Sequence, residues 1–485
     1  MRSHPRGASD TGAIDHFAWT SRRIELLLLI FATSVVTCAL VLVEAEQDQH
    51  LSFPVLYLGL GYLGLFLGVH FMVRASAPHA DPLILPIVAL LNGLGLVMIH
   101  RLDLAWDLRA AQTGNPAQSV NALRQLAWTS IAAALLAVVL VKVGNHRVLA
   151  RYSYLCGVGG LALLLIPGLL PSSISEVNGA KLWLRLGPFS LQPGEFAKIL
   201  IILFTASFLV TKRELFRGAG RRVLGMDLPR GRDLGPLLFA WLLSIGVLAL
   251  ERELGASLLI FGVALAMLYV ATSRVSWILI GLLFFCVGCV VAYQAFGHVR
   301  DRVQTWLDPS ADYNAGGYQV SQALFGLGTG GMGGTGLGAG HPDLVPLANA
   351  DFIFSSLGEE LGLFGLSAVL VLYLLLVMRG LKTALLCRDS FGTLLAFGLS
   401  ITIALQMFIV VGGVTNLIPL TGLTTPFLSY GGSSLLANYM LVAMLLRISD
   451  AAYQVRSARP PPAQVPLASA ATQVVSTRRP LRRRS

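Results

Sequence analysis

The feature that most constrains this chain is a recurrence. Between residues 24 and 447, apolar stretches follow one another with short polar segments between them. A helix needs about 20 apolar residues to cross the hydrocarbon core of a bilayer. Within lipid every backbone N–H and C=O must find an internal partner, so only helices or a closed barrel can span it. Runs of this length read as helices. Twelve are counted, at about 24–43, 54–73, 82–99, 124–142, 153–170, 195–211, 235–250, 254–271, 276–297, 352–378, 391–411 and 433–447. The predicted fold class is therefore all-α, a polytopic membrane helical bundle. Only 13% of residues are charged, against 55% hydrophobic, and this excludes an ordinary soluble domain.

A formal charge of +11 would suggest nucleic acid in a soluble protein, but here its placement decides. With the N-terminus inside, cytoplasmic segments, together with Lys142 and Arg447 at the inner ends of their spans, hold 27 of the 36 lysines and arginines, including Lys212, Arg213, Arg217, Arg221, Arg222, Arg230 and Arg232 in one loop. The positive-inside rule then puts both termini in the cytoplasm and the segment 297–351 outside. No nucleic-acid partner is expected. Residues 1–23 are polar and basic without a cleavage-site pattern, so the first span is expected to be retained. The segment 448–485 reads as a disordered basic tail attracted to anionic membrane lipid.

The five cysteines fall in or beside apolar runs and show neither a disulfide framework nor a zinc spacing. Cys286 and Cys289 read as apolar packing, and no metal ligand is assigned.

Residues 297–351 form the one extended polar and glycine-rich passage within the apolar body. A loop of this length without obvious secondary structure is functional or disordered. Its apolar patches, among them Val303, Trp306, Tyr318 and Phe325, favour a folded, functional loop. The run GTGGMGGTGLGAG follows no strand and lacks the Lys-Ser/Thr ending of a nucleotide-binding loop. Its glycines read as permitting tight turns.

The segment 171–198 carries Lys181 and Arg185, separated by Leu182, Trp183 and Leu184. These cations suit either lipid headgroups or an anionic substrate such as a pyrophosphate. Gln192-Pro193-Gly194-Glu195 then opens a span in which Glu195 and Lys198, at i and i+3, share a helical face. Arg101 lies at the end of the third span, placed to snorkel or to act on substrate. Glu251-Arg252-Glu253-Leu254-Gly255 reads as a structural turn. Irregular backbone at 412–434 survives at membrane depth only if buried in protein or lining a cavity, and is expected to form a cavity's inner wall.

Four ordered stretches carry a resemblance: VNGAKLWLRLGPFSLQPGEFAK, DPSADYNAGGYQVSQALFGLGTGGMGGTGLGAG, ADFIFSSLGEELGLFG and TNLIPLTGLTTPFLSYGGSS. Together they resemble the SEDS family (shape, elongation, division and sporulation), typified by RodA and FtsW, over about residues 82–447. The resemblance implies a ten-span core, preceded here by an additional helix pair at 24–78. It also implies a peptidoglycan glycosyltransferase that polymerises lipid II at the outer face of the plasma membrane with a class B penicillin-binding protein, a transpeptidase. The family's catalytic aspartate falls at Asp312, before Gly317, Tyr318 and Gln319, with Asp308 as its nearest rival. The basic cavity residues fall at Lys181 and Arg185, the QPSE motif at Gln192 to Glu195 with Lys198 following, and the early arginine at Arg101. This chain departs from the family at Gly194 (usually Ser), Glu253 (usually Asp), Tyr313 (usually Pro) and Ala315 (usually Gly).

The implied reaction needs an acceptor hydroxyl to lose a proton as it attacks the anomeric carbon, and a departing pyrophosphate to be stabilised. One carboxylate can act as the base. Cations, with a divalent ion such as Mg or Mn as a further candidate, can stabilise the leaving group. Conversion of an α- to a β-linkage fits direct displacement by a single acid. Asp343, Asp351, Glu359 and Glu360 are further acidic candidates. A short tail leans toward a RodA-like elongation role over an FtsW-like division role. A lipid II flippase and a noncatalytic scaffold for a transpeptidase are the readings from other classes.

Overall fold

The computed structural model describes residues 10–47, 53–114, 119–177, 180–186, 189–212, 221–223, 226–228, 253–310, 313 and 317–457, with scattered residues between 235 and 246. Helices dominate. In chain order they are α1 (Asp10–Glu46), α2 (Phe53–Ser76), α3 (Ile84–Gln112), α4 (Asn121–Lys142), the short α5 (Arg147–Arg151), α6 (Ser153–Leu169), a single turn α7 (Ser172–Ser175) and α8 (Pro193–Thr211). There follow α9 (Leu254–Thr272), α10 (Ser276–Ala295), α11 (Gly297–Leu307), α12 (Gly317–Gly330), α13 (Ile353–Leu386), α14 (Ser390–Val414) and α15 (Gly432–Ser457).

Ten of the described helices are long and apolar enough to cross a membrane, and α6 is a shorter apolar helix. The seventh expected span, 235–250, lies largely outside the described residues. Helices α3 and α15 are enclosed by the others, whereas only 11% of the α10 span is buried, so α10 runs along the rim.

The first helix pair is built into the bundle. A Cβ on Gly93 of α3 would fall 2.1 Å from Val36 Cγ2 of α1, so the bare glycine is what lets the two helices approach. The Tyr62 hydroxyl of α2 donates to the Ala89 carbonyl at 2.6 Å. The pair is thus anchored to α3 by close packing and a buried hydrogen bond.

Both ends of the chain are more helical than expected. Helix α1 begins at Asp10, inside the segment read as polar, and α15 continues to Ser457, past the expected start of the tail at 448. Polar side chains hold this extension. The backbone N–H groups of His79 and Asp81 donate to Asp450 Oδ1 (2.8 Å) and Ser449 Oγ (2.7 Å). A hydropathy pattern ends the span at Arg447, but the helix goes on because its polar face is partnered.

The segment 297–351 is folded, as its apolar patches predict, and it holds helices that are not obvious in the sequence. It contains α11, α12 and a 3-10 turn at Pro342–Leu344. Arg302 and Trp306, at i and i+4, sit on one face of α11. Arg302 Nη1 donates to the carbonyls of Leu420 (3.1 Å) and Thr421 (3.0 Å), and Trp306 Nε1 donates to that of Asn416 (3.0 Å). In α12 the buried face is made of small residues, Ser321, Ala323, Gly326 and Gly330, and it packs on α13. Ser355 Oγ of α13 donates to the Ala323 carbonyl at 3.2 Å.

The glycine run also differs from its reading as turns alone. Helix α13 breaks at Gly362, whose φ of 66° suits glycine. The freed groups there pair with the run: Thr335 and Gly336 N–H donate to the carbonyls of Glu359 and Glu360, each at 3.0 Å, and Leu363 N–H donates to Gly331 O at 2.9 Å. A Cβ on Gly334 would lie 2.2 Å from Glu360 O. The glycines let two backbones meet.

Residues 415–431 are irregular; Leu423 and residues 425–429 are buried in protein, whereas Thr415, Leu417 and Gly422 are exposed. Asn92 Nδ2 donates to Phe427 O at 3.1 Å, Tyr430 N–H donates to Asn349 O at 2.7 Å, and Ser429 Oγ donates to Ala350 O at 2.6 Å.

Candidate active site

The polar mouth of the bundle lies where α8, α9, α14 and the segment 415–431 meet beneath 297–351. The start of α8 sets its geometry. Gln192 is extended, Pro193 takes the first helical position, and the Gln192 N–H donates to Ser433 Oγ at 2.8 Å. Glu195 in the first turn gains from the helix dipole. One turn on, the Lys198 ammonium lies 2.6 Å from Glu195 Oε2, with both side chains buried. Lys198 Nζ also donates to Gln406 Oε1 at 3.2 Å, and Gln406 Nε2 donates to the Thr424 carbonyl at 2.8 Å. Deeper in, the walls become apolar with Ile201, Ile202, Leu259 and Met267, so Lys198 stands at the floor of the polar region.

Glu253 completes this cluster and corrects its reading as part of a structural turn. It precedes α9, and its Oε1 accepts from Gln192 Nε2. Burial, together with the charge of Glu195, pushes the Glu253 carboxyl up to about 7, against the pull of Gln192, Lys198 and Arg302. A carboxyl in this range exchanges its proton near neutrality. Arg302 is held by Leu420 and Thr421, and its charge favours ionisation of Asp351. Burial nonetheless raises the Asp351 carboxyl above its usual range.

Gln192, Glu195 and Lys198 are therefore brought together, and Glu253, Arg302 and Gln406 join them. Arg302 and Gln406 carry no local signal in the sequence, because each is recruited from a distant element, and Glu253 is marked there only as the counterpart of a family aspartate. Lys181 and Arg185 lie on the segment leading into Gln192, which folds as two hairpins; a third hairpin, Arg221–Val223 with Met226–Leu228, supplies the other strands among the described residues. Strand β1 (Glu176–Val177) pairs with β2 (Ala180–Lys181), placing Lys181 opposite Glu176. Strand β3 (Leu184–Leu186) pairs with β4 (Phe189–Leu191), placing Arg185 opposite Ser190. Lys181 is half-buried and Arg185 is exposed.

Arg101 lies away from solvent. It is 2% exposed, its Nε donates to Glu360 Oε1 at 3.0 Å, and its Nη2 donates to Gly340 O at 2.6 Å. It ties α3 to α13 and to the glycine run. Three of the further acidic candidates are likewise engaged. Glu360 accepts from Arg101 and from Gly338 N–H at 3.0 Å, Glu359 accepts from His341 N–H at 2.7 Å, and Asp343 pairs with Arg109 at 2.6 Å.

Asp312 lies outside the described residues. On one side of it, Asp308 Oδ1 accepts from the Ser310 N–H (3.0 Å) and hydroxyl (2.6 Å), which makes Asp308 a turn-builder. On the other, the Tyr313 ring meets that of Tyr318 edge-on at 5.4 Å, and its hydroxyl accepts from Gln322 Nε2 at 2.8 Å.

The profile of the FtsW/RodA/SpoVE family, described as cell cycle protein, matches residues 82–454. This chain belongs to the FtsW/RodA/SpoVE family. It is 54% identical over 456 residues to the peptidoglycan glycosyltransferase RodA of Mycobacterium tuberculosis, covering 94% of this chain and 96% of the relative. The RodA of Mycobacterium leprae is 51% identical over the same shares. An FtsW relative from Nitrosomonas europaea is 33% identical, over 77% of this chain and 95% of its own. Among solved structures, a chain from a peptidoglycan synthase complex that coordinates polymerization and crosslinking is 26% identical with a TM-score of 0.59, covering 77% of this chain and 99% of that one. RodA of Thermus thermophilus, 23% identical with a TM-score of 0.51, shares the fold over 76% of this chain and 96% of its own. The FtsW/RodA/SpoVE match begins after α1 and α2, whereas the mycobacterial relatives match across most of the chain.

Proposed function

We propose that this protein is a peptidoglycan glycosyltransferase of the RodA type, extending glycan strands from lipid II at the outer face of the plasma membrane during elongation. The observation that carries this reading is the match to mycobacterial proteins of that name along nearly their entire length. The FtsW relative is more distant at 33% identity, which favours elongation over division. Charge placement supports an orientation with both termini in the cytoplasm and the polar mouth outside.

In this reading Asp312 takes the proton of the acceptor hydroxyl as it attacks the anomeric carbon. Lys181 and Arg185, on the hairpins leading to α8, meet the departing pyrophosphate. Gln192, Glu195 and Lys198 form the polar wall on the substrate's path, with Glu253 as a proton-exchanging neighbour. One base serves a single displacement, so no covalent sugar–enzyme bond forms. A divalent cation, were one bound with the substrate, would supply further leaving-group stabilisation. The similarity to a chain from a synthase complex supports a class B penicillin-binding protein as partner.

The test is polymerisation of labelled lipid II by the purified chain with its partner transpeptidase in detergent. Glycan polymer is expected, and is expected to vanish with Asp312→Ala. Transbilayer movement of lipid II in sealed vesicles without polymer would instead establish the flippase reading.

A further inference from the structure

At the end of the bundle opposite the polar mouth, the fold assembles a group of donors that no spacing in the sequence reveals. His146 precedes α5, and Cys387 and Asp389 lie in the turn between α13 and α14; His146 and Asp389 are 243 residues apart. The three contribute ligand atoms that all lie within 4.8 Å of one another. His146 is 3% exposed, while Cys387 and Asp389 are only partly buried.

Gly392, in the first turn of α14, lets these atoms pack closely against its bare backbone. A Cβ built there would lie 2.6 Å from Cys387 Sγ, 2.6 Å from His146 Nε2 and 3.0 Å from Asp389 Oδ2. A thiol, an imidazole and a carboxylate thus crowd together over a glycine that has no side chain to push them apart. Zinc binds at about 2.3 Å from sulfur and about 2.0–2.2 Å from nitrogen and oxygen, so donor atoms within 4.8 Å of one another can reach one ion after a modest side-chain adjustment.

We propose that His146, Cys387 and Asp389 form a zinc-binding site that ties the α4–α5 connection to the α13–α14 turn. The Cys387 thiol gives its proton to solvent and binds as thiolate, His146 binds through Nε2, and Asp389 binds through Oδ2. Solvent reaches the exposed side and fills the fourth position. The mixture of thiolate and imidazole selects zinc over magnesium or calcium, which favour all-oxygen sites. Before the ion enters, Asp389 Oδ1 holds the donors in place. It lies 3.0 Å from His146 Nε2, accepts from Cys387 Sγ at 3.3 Å, and lies 3.4 Å from Arg147 Nε. Oδ2 accepts the Gly392 N–H at 2.7 Å. The neighbouring Arg147 charge opposes a cation, so the site is an exchangeable one. Charge placement assigns this end to the cytoplasm, where thiols stay reduced and available.

The test uses the full chain in detergent, purified without a polyhistidine tag, stripped with chelator, then loaded with zinc salt alone and dialysed. Retained metal is measured by mass spectrometry for the parent, Cys387→Ser and Gly392→Ala. Gly392→Ala keeps all three ligands but places a methyl group 2.6 Å from both Cys387 Sγ and His146 Nε2, which forces the donors apart. Stoichiometric zinc is expected in the parent, with affinity at least about tenfold weaker in both variants. Absence of retained zinc in the parent, or equal retention in all three proteins, overturns the proposal. A readout on the parent alone covers misfolded variants: zinc should block alkylation of Cys387, located by peptide mapping, and unchanged alkylation counts against the site.

Discussion

Glu195 and Lys198 stand one turn apart on α8 with Oε2 and Nζ 2.6 Å apart, and both side chains are buried. A buried pair is costly to break from one side, because the remaining charge has no partner. Lys198→Met is expected to destabilise the protein by about 3–5 kcal/mol. Adding Glu195→Gln should recover much of that loss, since the orphaned charge is then gone. Polymerisation should stay low in the double variant if the pair also serves substrate. Thermal melts beside lipid II assays separate the two roles. Full activity in the stable double variant would make the pair purely structural.

This pair was legible in the sequence because its spacing is local: i and i+3 on a helix share a face whatever surrounds them. The spans were legible for the same reason, since a run of apolar residues states its own environment. Glu253 was hidden. Read within ERELG it resembles any charged turn, and only Gln192, 61 residues earlier, draws it inward. Helix α11 was hidden likewise, for its register is set by the docking of Arg302 and Trp306 on carbonyls more than a hundred residues away. Gly334 and Gly362 show the remaining gap. A glycine-rich string predicts freedom of the backbone, but not that two such strings will press together across a broken helix.

Glu253 gives a pH dependence with a definite sign. Its folded-state carboxyl is raised from 4.5 to about 7, so between these values the native state holds a proton that the unfolded chain has released. Stability then falls as pH rises through this window, because the native state binds more protons than the unfolded state. Glu253→Gln should flatten the slope of melting temperature against pH over that interval. An unchanged slope would remove Glu253 as its source.

Two of this chain's departures from the family pattern face each other. A Cβ on Gly194 would lie 3.7 Å from Glu253 Oε2, so the longer acid stands over the position left bare by glycine. Glu253→Asp alone should draw the carboxyl away from Gln192 and lower activity. Gly194→Ser combined with it restores the usual family pair, and should recover activity with a coupling of about 1 kcal/mol. Strictly additive effects in the cycle would show the two positions to be independent.

Arg101 is predicted to act by position. It holds Glu360 and Gly340 at the point where α3, α13 and the glycine run meet. Arg101→Ala leaves Glu360 buried without its cation, so a melting-temperature drop should accompany any loss of polymerisation. Arg101→Lys should restore little, since a single ammonium cannot reproduce the two directed hydrogen bonds of the guanidinium. A variant of parental stability with a raised KM for lipid II would instead place Arg101 on the substrate.

The assignment of the base separates three acids by their surroundings. Asp308 is occupied by the Ser310 N–H and hydroxyl, so Asp308→Ala should loosen the turn and reduce polymerisation only severalfold. Glu253 is packed against Gln192, and Glu253→Gln keeps that neighbour's hydrogen-bonding capacity while removing the titration. In the proposed mechanism Asp312 is the proton acceptor, so Asp312→Ala is expected to cost about 10²–10⁴-fold in kcat, the usual contribution of general base catalysis. Tyr313, fixed by Tyr318 and Gln322, adjoins this residue. Tyr313→Ala should therefore lower kcat by a smaller factor without moving the melting temperature. Lipid II turnover under saturating substrate, measured for all four variants at equal folded concentration, ranks them. If Asp312→Ala kept parental turnover while Glu253→Gln abolished it, the base would be the buried carboxyl at the start of α9.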